Sequence, residues 1–161
     1  DQVLGPIPGQ NLINTIRMWE NQIIIGGCLG LMKSSFEEAK AYADSHITGG
    51  KPIIRYQEIA FKLSEMLTLY QTSQLLAQRA VWTALTDSKE AESLTWCAKV
   101  FCAESAEKIA GEALRILGGK GITKGNKSER AYRCAKYNQI AGTSTEIARV
   151  RLGDAALGIR N

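Results

Sequence analysis

The chain has 161 residues, 45% of them hydrophobic and 22% charged, which suffices for one compact domain with its own core and excludes a disordered chain. Its 20 basic and 16 acidic residues are interspersed and leave a formal net charge of +4, too mild for a nucleic-acid partner but compatible with a polyanionic ligand such as a nucleotide. The four cysteines, Cys28, Cys97, Cys102 and Cys134, form no C-x-x-C pair and have no histidine at ligand spacing, so neither a metal nor a redox motif is expected. A reducing intracellular compartment, cytoplasm or mitochondrial matrix, is the reading. No apolar run approaches the roughly 18 residues of a membrane span, so a soluble protein is expected.

The first segment, DQVLGPIPGQ, has two prolines and two glycines and lacks the basic start and apolar stretch of a signal peptide. Residues 1–9 read as a linker, as if the chain had been cut from something longer, and residues 10–161 as one domain. From Gln10 to about Ser45, Leu12, Ile16, Trp19, Ile23, Gly27, Leu31 and Met32 recur at three- and four-residue steps, the pattern of a long amphipathic helix. Gly26, Gly27 and Gly30 cost helix propensity there and are expected to let another backbone approach.

The string SHITGGKP stops that helix at Thr48, Gly49, Gly50 and Pro52. A second helix is predicted from about Ile54 to Leu85, with Ile59, Leu63, Met66, Tyr70, Ser73, Ala77, Ala80 and Ala84 inward. After a polar break with a capping residue at Asp87 and Ser88, a third runs to about Leu117 on Ala98, Cys102, Ala106, Ile109, Ala113 and Ile116. The segment GGKGITKGNK reads as a loop, after which Ser128 caps a short helix to about Asn138 and a last helix spans about Ser144 to Leu157. No alternating strand pattern of useful length occurs. Three long helices and two shorter ones bury their stripes most simply as an all-α, antiparallel up-down bundle.

The C-terminal string EALRILGGKGITKGNKSERAYRCAKYNQIAGTSTEIARVRLGD resembles the end of the acyl-CoA dehydrogenase family, with its G-G-x-G turn, basic helix and G-T-S turn in order. VLGPIPGQ and TGGKPIIRYQEIAFKLSEM are similar to two earlier segments of that family, so the likeness covers nearly the whole chain. What it implies is a helical C-terminal domain that holds FAD together with a β-domain, assembles into a homo-oligomer (dimer or tetramer), and oxidises the α,β bond of an acyl-CoA thioester. A carboxylate takes the α-proton while hydride leaves the β-carbon.

Most members of the family place that glutamate immediately before the G-T-S turn, a position that falls on Gly142, or on Ala141 after a one-residue shift. A minority, resembling the isovaleryl-CoA branch, carry it on the first long helix about six residues before a G-G-x-L-G-L-M string. Glu20 stands at that spacing before Gly26–Gly27–Cys28–Leu29–Gly30–Leu31–Met32, and is the candidate base. Burial beside Met18, Trp19, Ile16, Ile23 and Ile24 would raise its pKa toward working pH; the plain alternative is a solvated helical carboxylate. The resemblance puts Arg17, Asn21 and Gly142 on the substrate side, Asn21 replacing a usual arginine.

On the cofactor side it implies His46, Thr48, Arg115, Gly118, Gly119, Gly121, Thr143, Ser144 and Glu146. His46 and Gly49 stand where the family has an arginine and a phenylalanine. Arg115 replaces a glutamine and would either supply the missing positive charge or pair with Glu112. Gly118, Gly119 and Gly121 also have an account as a helix cap and turn, and Thr143, Ser144 and Thr145 as caps. The alternatives to a dehydrogenase are an acyl-CoA oxidase and a non-catalytic module for assembly or partner binding. Without a β-domain, the segment alone is expected neither to hold FAD tightly nor to turn over.

Overall fold

The computed structural model describes residues 10–86 and 90–158. Its elements are α1 (Gln10–Ser45), a hairpin of β1 (Ile47–Thr48) and β2 (Lys51–Pro52), a 3-10 turn (Ile53–Arg55), α2 (Gln57–Leu85), α3 (Ala91–Leu117), α4 (Gly119–Ile122), α5 (Lys127–Ile140) and α6 (Thr145–Ala156). The linker and the break at Asp87 and Ser88 lie outside the described residues.

Side-chain pairs give the direction of each helix. Lys62 meets Glu112 and Arg79 meets Glu90, so α2 runs against α3. Gln22 bonds Thr95 while Tyr42 and Leu117 line one recess, so α1 runs with α3. Cys28 meets Asn138 and Glu38 meets Ser128, so α5 runs against α1. The result is the expected up-down-up-down bundle of α1, α2, α3 and α5, with α6 laid across α3. Among the described residues, no helix is long and apolar enough to cross a membrane.

Alanine makes the packing close. Ala39, Ala43, Ala80, Ala98, Ala103, Ala106, Ala110, Ala113 and Ala135 have no exposed surface, and the larger Met32, Met66 and Ile109 fill the space between them. Every residue expected on the inner stripe of α3 is buried there. Most of the α2 stripe is buried too, from Leu63 to Ala80.

The α1 stripe is out of phase with its expectation. Ile16 and Ile23 are 57% and 76% exposed, whereas Asn21, Gln22, Ile25, Cys28, Met32, Ser35 and Ala39 face the bundle. Ile23, Ile24 and Ile25 put an apolar residue on every side of the helix, so periodicity alone cannot choose the inner face. Nor does a neighbour approach the α1 glycines: a Cβ on Gly26, Gly27 or Gly30 would meet nothing within 4 Å.

Local differences have local causes. The helix stop after Ser45 is a small antiparallel hairpin pairing Ile47 with Pro52 and Thr48 with Lys51, pinned by the Tyr56 hydroxyl donating to the Thr48 carbonyl at 2.8 Å. One helical turn, α4, sits within the glycine- and lysine-rich loop. Asn126 rather than Ser128 caps α5, its side chain accepting from the Ser128 amide at 2.9 Å. That leaves the Ser128 hydroxyl to donate to Glu38 on α1 at 2.7 Å.

Candidate functional site

The candidate base stands at the mouth of an open cleft of about 560 Å³ between α1 and the end of α5. Ile16, Trp19, Glu20, Ile23 and Ile24 form one wall; Tyr137, Asn138, Ala141 and Gly142 form the other. Glu20 is the one carboxylate in an otherwise largely apolar lining. Its side chain is exposed in this chain.

Gly142 faces it. Its φ of +66° is one that side chains of L-residues avoid, and a Cβ there would lie 2.7 Å from Ile24 Cδ1, 3.1 Å from Asn21 Oδ1 and 3.5 Å from the Glu20 carboxyl carbon. Side chains from α1 therefore occupy the space into which a side chain at position 142 would project.

Asn21 is wholly buried and does not line this cleft. Its amide donates to the Arg17 carbonyl at 2.7 Å and to Thr143 Oγ1 at 3.3 Å, and its Oδ1 accepts from the Thr143 amide at 3.3 Å. The residue expected on the substrate side thus latches the G-T-S turn to α1. Arg17 is half-buried beside it. Asn21→Leu keeps the branching of the side chain but leaves the Thr143 amide unpaired, and is expected to lower stability by about 1–3 kcal/mol, read from the midpoint of urea unfolding.

A second tie to the same turn comes from α3, where sequence reading assigned nothing. Lys99 is wholly buried, and its Nζ donates to the Ala141 carbonyl at 2.9 Å and to the Asn138 carbonyl. Burial pushes its pKa down, against the opposing fields of Cys28 and Glu20. Asn138 Nδ2 donates to Cys28 Sγ at 3.4 Å. Burial raises the Cys28 thiol and pushes Cys102 up to about 12, so both stay protonated at neutral pH. The signal for Lys99 was its place on the inner stripe of α3, one turn before Cys102.

Past the turn, Ser144 caps α6, its hydroxyl accepting from the Ile147 amide at 3.4 Å. Glu146 follows, accepting from the Thr145 hydroxyl at 3.2 Å. Its own backbone amide, and then the Ser144 hydroxyl, hold its carboxyl below the usual range.

The remaining cofactor-side residues gather at the far end of α1. His46 stacks on Tyr42 with ring centroids 4.7 Å apart, and Lys120 Nζ stands 5.4 Å from the Tyr42 centroid. Thr48 is exposed, with its carbonyl held by Tyr56. Arg115 is exposed and pairs with Glu112 at 2.9 Å, a carboxylate that also takes Lys62 at 2.8 Å. Gly118 ends α3 at φ +61°, and Gly121 is buried where a Cβ would come within 2.8 Å of Leu117 Cβ. Gly119 has neither reason: a Cβ on it would meet nothing. Its main chain is simply open.

Two groups of candidate residues therefore exist on one chain. Along α1, Tyr42 lies about 33 Å from Glu20 at 1.5 Å rise per residue.

Comparison with known proteins bears on the family and the fold. A family model described as acyl-CoA dehydrogenase, C-terminal domain, matches residues 9–157. The mitochondrial short-chain specific acyl-CoA dehydrogenase of Bos taurus is 33% identical over 128 residues, 79% of this chain and 31% of that protein. The 3-sulfinopropanoyl-CoA desulfinase of Cupriavidus necator is 30% identical over 132 residues, 82% of this chain and 33% of that one. Butyryl-CoA dehydrogenase from Megasphaera elsdenii has the same fold, with a TM-score of 0.89 at 23% identity over 92% of this chain and 39% of that chain. The chain spans about a third of the length of the curated relatives it matches. With the family's C-terminal model covering nearly every residue on a bundle of the same shape, the chain belongs to the acyl-CoA dehydrogenase family, as its C-terminal helical domain.

Proposed function

We propose that this domain forms part of an FAD-dependent acyl-CoA dehydrogenase in which Glu20 removes the α-proton of an acyl-CoA thioester. The observation that carries the reading is the approach of the Glu20 carboxyl to Gly142. The resemblance places the usual base at position 142 or 141, and here a carboxylate from α1 fills that space while the turn has lost its own.

The chemistry assigned to this chain is proton transfer and orientation. The α C–H bond breaks, its proton passes to a Glu20 carboxylate oxygen, and the bonding pair becomes the α,β π bond as the β-hydrogen departs with its own pair. FAD, when bound, takes the β-hydrogen with its electron pair as hydride. Ile16, Trp19, Ile23 and Tyr137 supply apolar walls for an acyl group, and closure by the rest of the protein would dry the cleft. Arg17 stands beside it as the nearest basic residue on α1.

The far group fits the phosphates of a dinucleotide. Lys120 and His46 are basic, and Gly119 offers open main chain that neither backbone angle nor packing within this chain explains. Thr143, Ser144 and Glu146 belong to the Glu20 end. The separation of the two groups supports a homo-oligomer in which one copy contributes the Glu20 end and another the Lys120 end to a given FAD. The outward apolar face of α1 and the exposed Phe61, Leu75, Trp82 and Leu85 of α2 support the same assembly.

The test uses the full-length protein, purified, examined for bound flavin and titrated anaerobically with acyl-CoA. Flavin that bleaches with acyl-CoA supports either flavoenzyme; reduced flavin that oxygen reoxidises rapidly points to the oxidase, and reduced flavin that needs another electron acceptor supports the dehydrogenase. Absence of flavin would leave the assembly module. A relative named a desulfinase, at 30% identity, adds a further outcome, release of a sulfur oxyanion instead of reduction of the flavin.

A further inference from the structure

The most unusual group in the molecule outside the proposed chemistry is the buried amine of Lys99. A charge without exposed surface is costly unless compensated, yet among the described residues no carboxylate lies within 4 Å of it. What it meets instead are two main-chain oxygens, those of Asn138 and Ala141. Both belong to the last turn of α5, where carbonyls have no helical partner and the helix dipole is negative. The Ala141 amide already closes the Tyr137 carbonyl at 2.9 Å, so Lys99 covers the next oxygens along the chain end.

We propose that Lys99 is a positioning residue: its ammonium clamps the end of α5 and thereby holds Asn138, Ala141 and Gly142 as the fixed wall facing Glu20. The proposal rests on Glu20 being the base only for its effect on turnover. Three ties converge on this wall. Lys99 holds its carbonyls from α3, Cys28 receives the Asn138 amide from α1, and Asn21 receives Thr143 just beyond it. Lys99 engages two main-chain oxygens, one in the last turn of α5 and one at its C-cap, so it holds the wall from α3 while Asn21 holds the turn beyond it from α1. An apolar side chain of equal length would pack in the same space and leave both oxygens without a donor.

The test is Lys99→Met in the full-length protein, with Lys108→Met, an exposed lysine on the same helix, as control. Amide exchange of Thr143 reads the clamp without any turnover, and steady-state kinetics with acyl-CoA read its consequence. The expected result is exchange at Thr143 faster by tenfold or more, α2 amides unchanged, kcat down tenfold or more and KM within threefold, with flavin content kept. If Lys99→Met does not fold, Lys99→Gln, a neutral donor on a shorter stem, is read in the same way. Thr143 exchange and kcat both within twofold of wild type, whatever the melting temperature, would make Lys99 a packing residue and overturn the proposal. Faster exchange with unchanged kcat overturns the positioning role if Glu20→Gln is inactive; if Glu20→Gln is itself active, the failure belongs to the base assignment and the exchange result still decides the clamp.

Discussion

Glu20→Gln in the full-length protein is expected to retain bound flavin and to bind acyl-CoA near the wild-type level, while flavin reduction slows by about 10²- to 10⁴-fold. Glutamine keeps the size of the side chain and the cleft wall, so what is removed is the oxygen that accepts the proton. By transition-state arithmetic this corresponds to about 3–5 kcal/mol of barrier. Stopped-flow reduction under anaerobic conditions separates that step from binding. A variant that reduces its flavin at the wild-type rate would return Glu20 to the role of a solvated surface carboxylate.

Gly142→Ala should be the most damaging single methyl in the domain. Part of its effect is backbone strain at φ +66°, worth about 1–2 kcal/mol for a side chain in the left-handed region. The rest is crowding, because the methyl would press on Ile24 Cδ1 at 2.7 Å and on Asn21 Oδ1 at 3.1 Å. The isoleucine can turn aside, but the asparagine is fixed through Thr143 and Arg17 and cannot yield without releasing the turn. Gly158→Ala supplies the comparison, having a similar φ of +71° and nothing within 4 Å of its Cβ. The difference in unfolding free energy between the two variants isolates the crowding, expected at about 1–3 kcal/mol in favour of Gly158→Ala. Turnover should fall further in Gly142→Ala than stability explains, since the methyl also abuts the Glu20 carboxyl.

The third helix was legible because most of its inner stripe is small and apolar, Ala98, Cys102, Ala106, Ile109, Ala113 and Ile116. The face of α1 was not, and the reason lies in particular residues. Asn21 and Gln22 look like surface positions, and both are buried because Thr143 and Thr95 receive them, partners 122 and 73 residues away. Local periodicity carries no trace of such pairs. The same limit hid Lys99, whose partners are main-chain oxygens and therefore have no residue type to recognise. Glu20 and Gly142 entered through the likeness to a family, and the bundle then set the Glu20 carboxyl carbon 3.5 Å from where a Cβ at position 142 would stand. Arg115 shows the opposite case: two readings were open, and the structure gives it Glu112.

The bonds between Asn21 and Thr143 have a consequence for synthesis. At about 5–20 residues added per second, roughly 6–24 s separate the making of these two residues on a ribosome. Until α2 and α3 emerge, α1, made before the other helices of this domain, has its polar buried side chains open to water and its apolar ones open to other nascent chains. Helices α2 and α3 can close on it as they emerge, but the wall opposite Glu20 cannot exist until α5 has been completed and turned back. Holding factors that shelter unfinished proteins would thus find their target on α1, and a chain halted before α5 would have its first three helices while lacking the wall that faces Glu20.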